Sequence, residues 1–129
     1  MGNWKYFTDA DLAGLQGNIP AMVDMARGLA TQWMQKVTNN PAAQVPFIIT
    51  FTTGGVHCGN SAHYKGLALD IGLGHLAEGA ERDSQRVAIV YGLLAAGFCR
   101  IEIAPAHIHA DNGQPPEYPS PDMWIGTDS

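Results

Sequence analysis

Apolar residues recur at helical spacing in two stretches of the chain, and these stretches predict its main helices. The first covers residues 19–37 and the second covers residues 82–96, where Gly97 offers a left-handed stop. A shorter helix is predicted over residues 9–15, with Thr8 as its N-cap. The buried stripe predicted for the first long helix is Ile19, Val23, Ala26, Leu29, Ala30, Trp33 and Val37, and one side of the second carries Val87, Val90, Tyr91 and Leu94.

Four shorter stretches are β-rich or alternate between apolar and polar positions, which predicts strands. A glycine-rich loop over residues 54–60 follows the first of them. The proline-rich tail ends in an apolar triplet, residues 123–125, which we expect to dock on the body. This order predicts an α+β fold, with a small, largely antiparallel sheet and helices packed on one face. The predicted strands are residues 46–53, 67–71, 98–103 and 106–111.

Length and charge narrow the classes of function. The 129 residues fit one domain, residues 1–129. A formal net charge of −5 argues against a nucleic-acid partner, which would need a basic patch. No apolar run approaches the roughly 20 residues that span a bilayer, so no membrane insertion is expected. The first residues lack the pattern of a secretory signal peptide, so we expect synthesis in the cytosol. We also expect a monomer.

The segment from His107 to Asp111 carries two histidines and an aspartate at alternating positions. Because side chains alternate along a strand, His107, His109 and Asp111 should share one face, while Ile108 and Ala110 face the core. The sequence therefore predicts a polar groove on one side of this strand.

A second polar cluster precedes this strand by about forty residues. Asp70 lies in the predicted second strand between Ala68 and Gly72, whose small size would leave room above the sheet. His63 lies in the loop that leads into this strand. Imidazole nitrogens and one carboxylate are usual ligands of a catalytic zinc, so His63, Asp70 and His109 are the candidate metal ligands. The same donor set also suits non-haem iron, but zinc is favoured because the iron oxygenases with this triad are usually jelly rolls, which need more strands than this chain has.

The run from Ser61 to Asp70 reads SAHYKGLALD, and it is followed by Gly97-Phe98 and by AHIH at residues 106–109. This pattern resembles the zinc D,D-peptidases of the M15 family, which cleave peptidoglycan and share their fold with the signalling domain of hedgehog proteins. The proline-rich tail and the opening Tyr-Phe-Thr at residues 6–8 are similar to those of small phage and prophage members.

The resemblance implies a hedgehog/D,D-peptidase fold and a Zn²⁺ ion held by His63, Asp70 and His109. It also implies that Ser61 supports the ligand loop and that Gly66 allows a turn. The implied partner is a peptidoglycan stem peptide.

One departure from the family concerns substrate polarisation. Many members carry Ser-Gly-Tyr-Arg after the first strand, whereas residues 52–57 read TTGGVH here, without an arginine. His57 is the candidate for the missing electrophilic role. His107, beside the zinc, is the other candidate for stabilising the oxyanion.

A second departure concerns the general base. Many members carry an acid three residues before the last ligand, and that position is Ala106 here. Glu102, on the preceding predicted strand, is the candidate replacement, with Asp111 and His107 as alternatives. Asp111 can instead accept a hydrogen bond from a ligand histidine.

These features lead to an expected function with two rivals. The expectation is a zinc-dependent, endolysin-like endopeptidase or D,D-carboxypeptidase, phage-encoded and acting on the host cell wall. It would cut the L-Ala–D-Glu bond or a D-Ala-containing bond of the stem peptide. The rivals are a catalytically weak or inactive, hedgehog-like recognition module that keeps its zinc, and a structural component of a virion.

Overall fold

The computed structural model describes residues 4–51, 67–113, 118 and 120–127 of the chain. These residues form two helices packed together and an open sheet of five strands, which confirms the α+β class. The helices are α1 (Ile19–Thr38) and α2 (Ala80–Ala95), and the strands are β1 (Ile48–Phe51), β2 (Ala68–Gly72), β3 (Arg100–Ile103), β4 (His107–Asp111) and β5 (Asp122–Ile125).

The sheet is mixed but mostly antiparallel. Its strand order is β1-β2-β4-β3-β5, and only the β3–β5 pair is parallel. All four predicted strands are present, with ends that differ by one or two residues where the structure describes them. The tail docks on the body, as expected, and it does so as the edge strand β5, which the pattern did not predict.

One face of the sheet forms a common core with the helices. Ile108 and Ala110 of β4 are fully buried in this core, which confirms the predicted alternation along that strand. Leu69 and Ile71 of β2 and Ile101 of β3 join them. Since neighbouring residues on these strands point the other way, their polar side chains lie on the opposite face.

Helix α1 matches its prediction closely, ending at Thr38 rather than Val37. Its buried stripe includes Met34, whereas Val37 is 60% exposed and Trp33 is half-buried. The predicted inclusion of Val37 was therefore wrong, because the last turn extends beyond the core. Neither helix of the described residues has the length and apolar character needed to cross a membrane.

The predicted apolar side of α2 was wrong for three of its four residues, since only Val90 packs against the core. Val87, Tyr91 and Leu94 are each more than 40% exposed, and the buried face instead contains Ile89 and Gly92. The reason is close helix packing, since a Cβ on Gly92 would overlap the carbonyl group of α1 that it faces. Gly92 lets the α2 backbone approach α1 closely, and Ile89 and Leu93 fill the core beside it.

The predicted helix over residues 9–15 is a series of turns. Thr8 and Asp11 bind each other reciprocally, each side-chain oxygen accepting from the other residue's backbone N–H at 3.2 and 2.9 Å. Leu12 is buried, but Gly14 has a φ of 88°, which a right-handed helix does not allow. A seven-residue segment also gains too few hydrogen bonds to offset helix nucleation.

Candidate metal and catalytic site

The strand register places several predicted site residues in one line across the sheet. Asp70 of β2 pairs with His109 of β4, His109 pairs with Glu102 of β3, and Glu102 pairs with Trp124 of β5. Directly opposed residues in antiparallel strands have Cβ atoms about 4.5–5.5 Å apart, so their side chains are neighbours. We call these four residues the polar row.

Asp70 and His109 are in direct contact within the polar row. Asp70 Oδ1 lies 3.0 Å from His109 Nδ1, and the two side chains are only 14% and 12% exposed. Ligand atoms about 2.0–2.1 Å from a tetrahedral zinc would lie roughly 3.3 Å apart, close to this separation. The two donors and their spacing therefore fit two ligands of one metal ion.

The other nitrogen of the His109 ring faces a second carboxylate. His109 Nε2 lies 2.5 Å from Asp111 Oδ2, which is the contact expected for a ligand histidine held by a neighbouring acid. Metal-binding histidines commonly donate their second ring N–H to such a carboxylate, and this bond fixes the ring orientation. In this arrangement Nδ1 is the atom that would bind the metal.

These carboxylates also control the protonation of His109. Burial alone would lower the pKa of the imidazole, but hydrogen bonds to Asp111 and Asp70 and the charges of both acids outweigh burial and raise the pKa to about 9. Without a metal the ring is therefore an imidazolium at neutral pH. A metal would have to displace the proton on Nδ1, because only a deprotonated nitrogen is a ligand.

Asp111 is itself firmly held. Its side chain is 2% exposed, and Oδ1 accepts from Arg100 Nε at 2.7 Å and from the Gly113 backbone N–H at 2.9 Å. Burial would raise the pKa of this carboxyl, but the hydrogen bonds from His109 and Gly113 and the charges of His109 and Arg100 keep it below its ordinary value. The geometry favours Asp111 as a support for His109 over a role as general base.

Glu102, the candidate base, lies on the other side of His109 in the polar row. One carboxylate oxygen lies 3.4 Å from His107 Nε2, and the other accepts from Trp124 Nε1 at 3.3 Å. Glu102 and His107 are 23% and 22% exposed, so both reach solvent. A Cβ on Gly126 would overlap the Glu102 carboxylate, so only glycine fits beside it in this conformation.

Arg100 was not identified from the sequence. It lies two residues before Glu102 on β3, so strand alternation could have placed it on the same face. Its guanidinium carbon lies 5.3 Å from the centre of the Tyr118 ring and 5.0 Å from that of the Trp124 ring. Trp124, whose ring centre is also 6.2 Å from that of His109, was missed because the tail gave no strand signal.

The small residues beside Asp70 make room for neighbouring side chains, not for open space. A Cβ on Gly72 would lie 2.8 Å from the Thr50 methyl group, and Ala68 is buried against Tyr118. The expectation of free volume directly above these two positions was therefore wrong.

The remaining predicted residues, His57 and His63 with Ser61 and Gly66, lie outside the described residues. Within the part of the chain that is described, no three His, Cys, Asp or Glu side chains form a group that could hold a metal ion. The structure thus brings together two of the three predicted ligands, and it separately joins Glu102 to His107.

Comparison with protein-family models, with curated proteins and with solved structures finds no match to this chain.

Proposed function

We propose that the protein is a zinc-dependent peptidase that hydrolyses peptide bonds in peptidoglycan stem peptides, built on a hedgehog/D,D-peptidase fold. His63, Asp70 and His109 would hold the metal. The observation that supports this most is the 3.0 Å approach of Asp70 Oδ1 to His109 Nδ1, with a partly exposed carboxylate, Glu102, at the next position of the polar row. The motif around His63 and Asp70 supports the substrate class.

When bound, zinc would lower the pKa of a water molecule and polarise the scissile carbonyl. Glu102 accepts the proton of the attacking water and returns it to the leaving amine. Trp124 Nε1 and His107 fix the direction of this carboxylate through contacts of 3.3 and 3.4 Å to its two oxygens. Its partial exposure lets it reach both water and substrate.

The developing oxyanion needs a positive or hydrogen-bonding group. His107 is on the same face as His109, two positions away on β4, and it reaches solvent. His107 is thus partly exposed on the face that carries His109 and can donate to the oxyanion, and His57 is the alternative donor. Removing one such donor costs on the order of 10²–10³ in kcat.

The test combines metal analysis with digestion of purified peptidoglycan. We expect about one zinc per chain and release of new amino groups from the wall. His109→Ala should lose both zinc and activity, whereas Glu102→Gln should keep zinc and lose roughly 10²–10⁴-fold in rate. His75→Ala is the matched control, because His75 is exposed and is not a member of the polar row, and it should change neither.

The same assay can contradict the proposal. Wild-type protein without stoichiometric zinc would refute the metal site. Zinc-loaded protein that releases no amino groups above the His109→Ala background would refute the peptidase.

A second candidate function is recognition without cleavage, by a zinc-holding module or a virion component. It is favoured by Ala106, which stands where the family carries its acid, and by Glu102, whose two oxygens already contact Trp124 and His107. This reading predicts that zinc-loaded protein sediments with peptidoglycan and leaves its peptide bonds intact.

A further inference from the structure

A hydrogen-bonded chain of four side chains runs from Arg100 through Asp111 and His109 to Asp70. Arg100 Nε donates to Asp111 Oδ1 at 2.7 Å, Asp111 Oδ2 meets His109 Nε2 at 2.5 Å, and His109 Nδ1 meets Asp70 Oδ1 at 3.0 Å. We infer that Arg100 is a positioning residue, which holds Asp111 so that the His109 ring presents Nδ1 to Asp70. The metal-binding consequence rests on the proposed function, whereas the positioning of His109 does not.

The two oxygens of Asp111 have different partners, and this difference supports the positioning role of Arg100. Oδ1 accepts from Arg100 on β3 and from the Gly113 backbone N–H, while Oδ2 is directed at His109. A carboxylate anchored through one oxygen by donors from two parts of the chain cannot rotate about its last bond. Anchoring Oδ1 therefore fixes the direction in which Oδ2 points, and this in turn fixes the orientation of the His109 ring.

Arg100 is in turn held in place by aromatic rings. Its side chain is 11% exposed, and its guanidinium lies within 5.3 Å of the ring centres of both Tyr118 and Trp124. A planar, delocalised cation between rings keeps its donors in one orientation, which a lysine ammonium would not do. These contacts indicate that Arg100 is a rigid anchor at the first position of the hydrogen-bonded series that ends at Asp70.

The perturbation is Arg100→Met, which removes the donors and the charge but keeps much of the side-chain length. Arg100→Lys is a milder second variant, which stays informative if the first folds poorly. Arg27→Met is the matched control, because Arg27 also stacks on two rings, those of Tyr6 and Phe7 at 5.4 and 5.1 Å, but lies away from the polar row.

The first measurement uses ¹⁵N-histidine-labelled protein stripped of metal, at one fixed pH. The Nε2 proton of His109, assigned by its loss in His109→Gln, should resonate far downfield and exchange slowly with water in the wild type. In Arg100→Met it should exchange about tenfold faster or move upfield, with Arg100→Lys between the two. Arg27→Met should match the wild type.

The second measurement is the zinc dissociation constant, obtained by competition with a chromophoric chelator. Loss of a residue that orients a ligand typically weakens metal binding by 10–100-fold, so we expect about a tenfold increase in Arg100→Met. An unchanged His109 proton in both Arg100 variants would overturn the positioning role, whatever the affinity. Failure of the wild type to bind zinc would count against the proposed function, and the proton measurement would still decide the role of Arg100.

Discussion

Replacing Asp111 with asparagine tests how much the buried charge of Asp111 contributes to the free energy of unfolding. The substitution keeps the shape of the side chain but removes the charge that faces Arg100 and His109. Both partners stay in place, 11% and 12% exposed, with their own charges only partly compensated. The amide nitrogen can donate but not accept, so it meets a donor on Arg100 or on His109 unless His109 gives up its Nε2 proton.

The expected cost follows from this burial. Breaking a buried ion pair by removing one partner costs about 3–5 kcal/mol, because the other charge is left without compensation. We expect about 3 kcal/mol here, since the asparagine oxygen can still accept from Gly113. For a chain of this size, that lowers Tm by roughly 10 °C.

The assay is urea unfolding followed by circular dichroism, with a chelator present so that metal binding does not contribute. Asp83→Asn is the matched control, because Asp83 also pairs with an arginine, Arg86, at 2.7 Å but is 69% exposed. An exposed pair of this kind, even in the first turn of a helix, contributes less than about 1 kcal/mol. A difference of under about 1 kcal/mol between the two variants would refute the claim that Asp111 is a buried, charge-compensating group.

Three further predictions test other parts of the molecule. The raised pKa of His109 means that its contribution to stability is complete below the unfolded value of 6.5 and is lost as pH rises through about 9. Metal-stripped protein should therefore lose on the order of 3 kcal/mol of unfolding free energy between pH 6 and 10. If the unfolding free energy of the wild type falls with pH no more steeply than that of His109→Gln, this prediction is wrong. Gly126→Ala should displace the Glu102 carboxylate and reduce peptidoglycan hydrolysis at least about tenfold at unchanged zinc content, which a metal analysis beside the rate assay checks. Gly92→Ala should separate the helices and lower the unfolding free energy by about 1–3 kcal/mol, whereas Gly74→Ala, with open space around it, should stay within about 1 kcal/mol of the wild type in the same urea titration.

Local patterns were enough to predict β2, β3 and β4, the strands that carry Asp70, Glu102 and His109. The alternation from His107 to Asp111 correctly separated two buried apolar residues from the polar ones, because a strand's side chains alternate whatever its partners are. The neighbours of His109 were harder to obtain. Its pairing with Asp70 on one side and Glu102 on the other depends on the register of two separate strand pairs, and register is set by the whole sheet.

The error in α2 has a similar origin. Hydrophobicity favoured Val87, Val90, Tyr91 and Leu94 as the buried side, yet the fully buried residues of the helix are Ala88, Ile89 and Leu93, with Gly92 against α1. What decides the orientation is how closely the backbone can approach α1, and Gly92 allows an approach that no larger residue would. Size complementarity between two helices cannot be read from the apolar pattern of one of them.

The edge strand β5 is the part of the site that the sequence pattern did not predict. Its four residues follow a proline-rich segment, and they gave only the expectation that an apolar tail would dock. Pairing in parallel with β3 places Trp124 opposite Glu102, where the indole donates to that carboxylate and stacks near Arg100. Because Arg100 holds Asp111, a single tail residue contacts both the candidate base and the chain of bonds that orients His109. The tail is thus part of the site. The orientation of Glu102 on β3 depends on β5, which follows β3 by about twenty residues and was not predicted as a strand.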